Sequence, residues 1–79
     1  MKKSLKVHPG KVLLEEYLTP RSLGQVKLAF EMKLPPIYIN EIVKGLRDIT
    51  EDTDKRLSEA LGTCPGFWLG LQTKYNREV

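Results

Sequence analysis

The chain has 79 residues, with 13 Lys and Arg against 10 Asp and Glu, and a formal net charge of +3. This length allows one domain with one small core, and domains of this size often gain stability by pairing with a second copy. The mild positive charge permits a nucleic acid as partner without requiring one. With one cysteine, Cys64, and one histidine, His8, an internal disulfide and a cysteine-based zinc site are excluded.

No apolar run is long enough for a secretory signal or a membrane span, which need about 7–15 and about 20 apolar residues. A lone cysteine is also typical of a reducing compartment. We therefore expect a cytoplasmic protein that does not contact a membrane. Residues 1–7 are expected to form a basic N-terminal arm, and residues 8–79 a single domain.

Two helices are predicted in the first part of the chain. His8-Pro9-Gly10 opens the first, with His8 as a cap or turn residue, and Thr19-Pro20 ends it because the residue before a proline avoids the α region. The second runs from about Gln25 to Met32. In both, apolar side chains recur with the helical period: Leu13, Leu14, Tyr17 and Leu18 in the first, and Leu28, Ala29 and Met32 in the second.

Three further helices follow. The third runs from about Pro36 to Lys44, with Gly45 as its left-handed stop. Thr50 is a good N-cap for the fourth, which Gly62 closes. The fifth is expected to begin near Cys64-Pro65. The inward faces are assigned to Ile39, Ile42, Val43 and Leu46 in the third helix, to Leu57, Ala60 and Leu61 in the fourth, and to Phe67, Trp68, Leu71 and Tyr75 in the fifth. Because no segment alternates apolar and polar residues for long, the sequence predicts an all-α domain.

The short connection between the second and third helices predicts a helix-turn-helix from about Leu23 to Lys44. At about 100° per residue, the side of the third helix opposite its apolar stripe presents Ile37, Asn40, Glu41 and Lys44, with Tyr38 at the flank. These residue types suit a DNA major groove, where Asn can bond adenine, Glu can accept from cytosine, and apolar groups can contact the thymine methyl. Two alternatives are an ordinary solvated surface and a Glu41–Lys44 pair at i+3.

Other polar residues surround this face. Gln25 and Lys27 lie on the preceding helix and Arg47 follows the third; with Lys44, they are candidates for phosphate contacts. Gln25 opens its helix, where its amide and nearby N–H groups can meet a phosphate. The sequence holds no nucleophile–base pair and no phosphate loop, so we predict no enzyme, no cofactor, no metal and no small-molecule substrate.

The fifth predicted helix is apolar over more than one face, because Leu69 lies outside the arc of its other apolar residues. Exposed apolar area usually marks a contact. We therefore predict that this helix forms part of a dimer interface as well as part of the core. The candidate interface residues are Phe67, Trp68, Leu69, Leu71 and Tyr75.

Several strings resemble the HigA (VapI) family of antitoxins, and the similarity covers nearly the whole chain in order. They are His8-Pro9-Gly10, Glu15-Glu16-Tyr17-Leu18, Gln25-x-x-Leu28-Ala29, Leu34-Pro35-Pro36, Glu41-Ile42-Val43-x-Gly45-x-Arg47-x-Ile49-Thr50 and Ala60-Leu61-Gly62-Thr63-x-Pro65-x-Phe67-Trp68-Leu69-x-Leu71-Gln72. The last two strings are the most specific.

This resemblance implies a five-helix domain of the lambda-repressor and XRE type. It also implies a homodimer that binds a palindromic operator in double-stranded DNA, represses its own operon, and neutralises a HigB-type toxin, a ribosome-associated ribonuclease. Two alternatives stay open: a stand-alone phage- or plasmid-type repressor, and a protein-interaction module without DNA binding, in which Ile37 and Tyr38 dock a partner.

The sequence departs from the family pattern at several positions. Lys33 replaces a glycine used to leave the second helix, which would cost about 1 kcal/mol in a left-handed conformation. Gly24 replaces a capping Ser and is an adequate cap. Tyr38 stands where an Arg or a small polar residue is common. Because a Tyr cannot make the bidentate guanine contact of an Arg, we expect a sharply altered or weakened DNA preference.

Overall fold

In the computed structural model, residues 7–78 are described and fold into five helices without a strand. The all-α expectation is confirmed. Of the predicted basic arm, 1–7, all but Val7 lies outside the described residues. No helix within 7–78 has the length and apolar character needed to cross a membrane.

Helix α1 has two parts: an α-helical turn, Pro9–Val12, and a π-helical segment, Leu13–Leu18, that continues it. His8 caps the start, as predicted, because its Nδ1 accepts from the N–H of Gly10 at 2.9 Å. In the π-helical segment hydrogen bonds join residues five apart, which the α-helical period did not predict. This spacing places Leu13 and Leu18 on one face, and both are buried.

Helices α2, Gln25–Met32, and α3, Pro36–Val43, are joined by a tight turn. Lys33 lies at the left-handed C-cap of α2 with a φ of +60°, as its place in the family pattern suggested. The N–H of Leu34 then bonds the carbonyl of Ala29 at 2.9 Å, which closes the turn. The bounds predicted for α2 are confirmed, and α3 is one residue shorter than predicted.

The prediction that Leu46 faces the core is wrong, since its side chain is 75% exposed. Helix α3 ends at Val43, and Gly45 has a φ of +78°. The helical projection therefore does not extend to Leu46, which lies in the turn beyond the helix.

Helices α4, Glu51–Leu61, and α5, Phe67–Arg77, complete the domain. Thr50 caps α4 as predicted, with its Oγ1 accepting from the N–H of Thr53 at 3.2 Å, and Gly62 ends it with a φ of +80°. Helix α5 begins at Phe67 rather than near Cys64-Pro65. The reason is a turn in which the N–H of Phe67 bonds the carbonyl of Cys64 and Gly66 takes a φ of +93°.

All five helices contribute to one core. Its buried apolar residues are Leu13, Leu18, Leu28, Ala29, Met32, Ile39, Ile42, Ile49, Leu57, Leu61 and Trp68. Helix α1 approaches α3 closely at Gly10, where an added Cβ would overlap the carbonyl oxygen of Ile42. Position 10 therefore requires glycine, and this close contact holds the C-terminal end of α3 against α1.

Two buried polar side chains join distant parts of the chain. The Asp54 carboxylate, 5% exposed on α4, accepts from the N–H groups of Gly66, Trp68 and Leu69 at 2.7, 2.9 and 3.2 Å, and so caps the start of α5. The Oε1 of Gln72 accepts from the N–H of Ile49 at 2.8 Å and anchors the segment between α3 and α4. Neither role was predicted from the sequence.

Candidate nucleic-acid interface

The outward face of α3 has Ile37 and Lys44 as its most accessible side chains. Ile37 is 59% exposed, and Lys44 is exposed with no carboxylate of residues 7–78 within ion-pair distance. Asn40 and Glu41 lie between them and are half-buried. The face therefore combines an apolar end, a polar centre and a cationic end.

The flank of α3 nearest α2 is held by a hydrogen bond from Nδ2 of Asn40 to Oε1 of Gln25, at 3.1 Å. An Asn amide has two N–H donors and one carbonyl acceptor. With one donor used, Asn40 keeps one donor and one acceptor, which is the pair that adenine N7 and N6 require in the major groove. Gln25 keeps both N–H donors of its own amide for another acceptor.

Arg47 folds back from the turn after α3 and lies over the helix. Its Nε and Nη2 donate to Oε1 of Glu41 at 2.9 and 2.8 Å, and its guanidinium carbon lies 4.0 Å from the centroid of the Tyr38 ring. The hydrogen bond to the Glu41 carboxylate raises the pKa of Arg47 above its usual value. The alternative pairing of Glu41 with Lys44 is wrong, because the turn brings Arg47 to this carboxylate instead.

Tyr38 lies on the other flank of α3, between α4 and Arg47. Its hydroxyl is 3.4 Å from Oγ1 of Thr53, and one face of its ring is covered by the guanidinium of Arg47. Its ring also packs against the core. Tyr38 is thus a partly buried support for Arg47, with less of its surface accessible than the projection of the sequence suggested.

The start of α2 lies beside this face and offers several N–H donors. Gly24 provides no side-chain cap, and the first backbone hydrogen bond of the helix is made by the N–H of Leu28. The N–H groups of Gln25, Val26 and Lys27 precede it, and the Lys27 side chain is exposed. Such a helix start favours an anion.

The structure brings most of the predicted DNA-binding residues into contact with one another. Gln25 meets Asn40, and Glu41 and Tyr38 both meet Arg47. Two exposed apolar residues of α2 were not singled out from the sequence, Val26 at 67% and Phe30 at 83% exposure. Their i, i+4 spacing, opposite the buried Leu28, was the available signal.

The predicted dimer surface on α5 needs a correction. Trp68 is 0% exposed and its Nε1 donates to Oγ1 of Thr63 at 3.0 Å, so it belongs to the core and offers nothing to a partner. Leu69 and Leu71 are half-buried against the core, and Tyr75 packs edge-on against His8. Among these residues Phe67 is the most accessible, at 38%.

Two short helices joined by a tight turn, with a mixed polar and apolar face on the second, define a helix-turn-helix protein. No protein-family model matches the chain. It is 44% identical to virulence-associated protein I of Dichelobacter nodosus over 73 residues, 92% of this chain and 68% of that protein. It is 35% identical to control protein C.BamHI of Bacillus amyloliquefaciens, over 87% of this chain and 85% of the relative.

Among solved structures, the chain is similar to the Pseudomonas aeruginosa antitoxin HigA with the higBA promoter. The TM-score is 0.88 at 32% identity, covering 91% of this chain and 78% of that one. The chain belongs to the HigA (VapI) family of helix-turn-helix antitoxins, which confirms the resemblance seen in the sequence. This is a family of transcriptional regulators and not of enzymes, as predicted.

Proposed function

We propose that this chain is a HigA-type antitoxin that binds operator DNA as a homodimer, with the outward face of α3 in the major groove. The observation that carries the proposal is the organisation of this face. Ile37 and Lys44 are accessible at its two ends, while Gln25 holds Asn40 and the Tyr38–Arg47–Glu41 contacts hold the other flank. Side chains fixed in this way lose little freedom on binding.

Similarity to an antitoxin solved with its promoter supports operator binding. We further propose that the operator is palindromic, that the protein represses its own operon, and that it acts in the cytoplasm, where that DNA lies. In the same proposal, the partner protein is a HigB-type ribonuclease toxin, which the antitoxin neutralises.

DNA binding is tested by selecting duplexes from a random pool and measuring fluorescence anisotropy at rising salt. Lys44→Ala should weaken binding to every duplex and make the negative slope of log K against log salt shallower by about one, as expected for one lost phosphate contact. Lys55→Ala is the matched control. Lys55 lies on α4 in a groove where three carboxylates, of Glu31, Asp52 and Glu59, offset three cations, of Lys33, Lys55 and Arg56, so the groove offers no net positive charge to a phosphate. Absence of salt-dependent binding to any duplex would favour the protein-interaction module.

Toxin neutralisation is tested by expressing the chain with the product of the neighbouring gene. A HigB-type partner should co-purify with it and stop inhibiting growth. Similarity to a control protein over most of both chains favours one second candidate, a stand-alone transcriptional regulator. That candidate is supported if duplex binding is specific but the neighbouring product neither binds nor inhibits growth.

A further inference from the structure

The leading end of α3 differs chemically from the rest of its outward face. Asn40 is engaged by Gln25, and Glu41 and Tyr38 are engaged by Arg47. Ile37, at the second position of the helix, is 59% exposed and apolar. It is therefore the side chain at this end that is most available to a partner.

Two prolines precede Ile37 and remove hydrogen-bond donors from this end. Pro35 is the N-cap and Pro36 the first residue of α3, both are exposed, and neither has an N–H. Most helix starts bind acceptors through such groups, but this one keeps few of them. Recognition at this end must therefore rely mainly on apolar contact. In the major groove, the apolar group that a base pair presents is the 5-methyl group of thymine.

We propose that Ile37 recognises the 5-methyl group of a thymine in each half-site of the operator. This inference rests on the proposed function, because it requires α3 to lie in the major groove. The methyl group would be buried against the Ile37 side chain, and burial of one such group is worth about fourfold in affinity. The preference would be set by shape and apolar contact, without a hydrogen bond to the base.

The test replaces each thymine of the selected duplex, one at a time, by deoxyuridine, which removes the methyl group and leaves base pairing intact. For the natural chain we expect about fourfold weaker binding at one position per half-site. Ile37→Ala should bind the thymine duplex more weakly and lose nothing further from deoxyuridine at that position. Ile37→Val should keep part of the methyl dependence.

Val26→Ala is the matched control, because Val26 is a similarly exposed aliphatic residue, but on α2. It should keep the methyl dependence of the natural chain. Since Ile37 is exposed, Ile37→Ala should fold, and thermal melting by circular dichroism checks this.

The outcomes separate the inference from the function on which it rests. If salt-dependent duplex binding is present but no deoxyuridine position matters, or if Ile37→Ala keeps the same methyl effect, the inference is overturned and the proposed function stands. If the natural chain binds no duplex, both are overturned. If Ile37→Ala leaves duplex binding unchanged but abolishes binding of a co-purified protein, Ile37 contacts that protein and the inference is again overturned.

Discussion

Arg47 lies on the proposed DNA-binding surface without adding its full charge to it. Its guanidinium is bonded twice to one carboxylate oxygen of Glu41 and stacks on the Tyr38 ring. A phosphate near Arg47 would also be near Glu41, and the two charges act in opposite directions. Lys44 is exposed just after the end of α3. No carboxylate of residues 7–78 lies within ion-pair distance of it, so its full charge is available to a phosphate.

Replacing Glu41 by Gln should therefore release the positive charge of Arg47. We expect stronger binding to random duplex and a slope of log K against log salt that is steeper by about one, since one more phosphate can be neutralised. The measurement is fluorescence anisotropy between about 50 and 200 mM salt. Thermal stability should change little, because this ion pair is only half-buried and solvent still screens it.

Glu59→Gln is the control for this experiment, because it makes the same change in net charge on the exposed side of α4. If both variants steepen the slope equally, only net charge matters and the local role of Glu41 is refuted. An unchanged slope in Glu41→Gln would equally contradict it.

The turn between α2 and α3 contains a strained residue. Lys33 has a φ of +60°, in the left-handed region that disfavours residues with a Cβ. Its side chain is exposed, so nothing in the core depends on it. The strain at Lys33 therefore lies in the connection of the helix-turn-helix.

Lys33→Gly should stabilise the protein. Relief of the left-handed conformation is worth about 1–2 kcal/mol, and the greater entropy of an unfolded glycine offsets about 0.5–1 kcal/mol of it. We expect a net gain of about 0.5–1 kcal/mol in the free energy of unfolding, measured by urea denaturation. Lys33→Ala, which keeps a Cβ, should show no gain; an equal gain in both variants would assign the effect to the loss of the lysine side chain.

The attachment of the start of α5 to α4 depends on Asp54. Its buried carboxylate accepts from three N–H groups around the start of α5. Asp54→Asn removes the charge and one acceptor, so we expect a loss of about 1–3 kcal/mol in urea denaturation. The control is Asp52→Asn, an exposed residue paired with Arg56. That variant should lose less than about 1 kcal/mol, and similar losses in the two variants would argue against the capping role.

Among residues 7–78 of the protomer, two aromatic side chains on different helices are exposed. Phe67 lies at the start of α5 and Phe30 on the outward side of α2. We propose that α5 contacts the partner in the homodimer, and with Trp68 assigned to the core, Phe67 is the most accessible apolar residue of this helix.

Phe67→Ser should weaken dimerisation by about tenfold, a change of about 1.4 kcal/mol, in sedimentation equilibrium. Phe67→Leu should retain most of the association, which separates lost apolar contact from lost folding; both variants are checked by thermal melting. Phe30→Ser should leave the dimer intact. If Phe30→Ser dissociates the dimer and Phe67→Ser does not, the interface lies on α2.

Local sequence signals predicted most of the helix boundaries, although α5 begins later than expected. The apolar period of Gln25–Met32, the Thr50 cap and the Gly62 stop act through neighbours a few residues away, so these features were predictable from local chemistry. The same period also identified Ile37 and Lys44 as outward-facing. Where it was extended past the end of α3, to Leu46, the prediction failed.

Packing between the helices controls which side chains remain accessible. Arg47 reaches Glu41 because a turn reverses the chain, Asn40 meets Gln25 across two helices, and Asp54 and Trp68 meet because α4 packs against α5. The Asn40–Gln25 and Asp54–Trp68 contacts join residues 14 or more positions apart, which come together only when the helices pack. Periodicity indicates which way a side chain points, but packing determines what covers it.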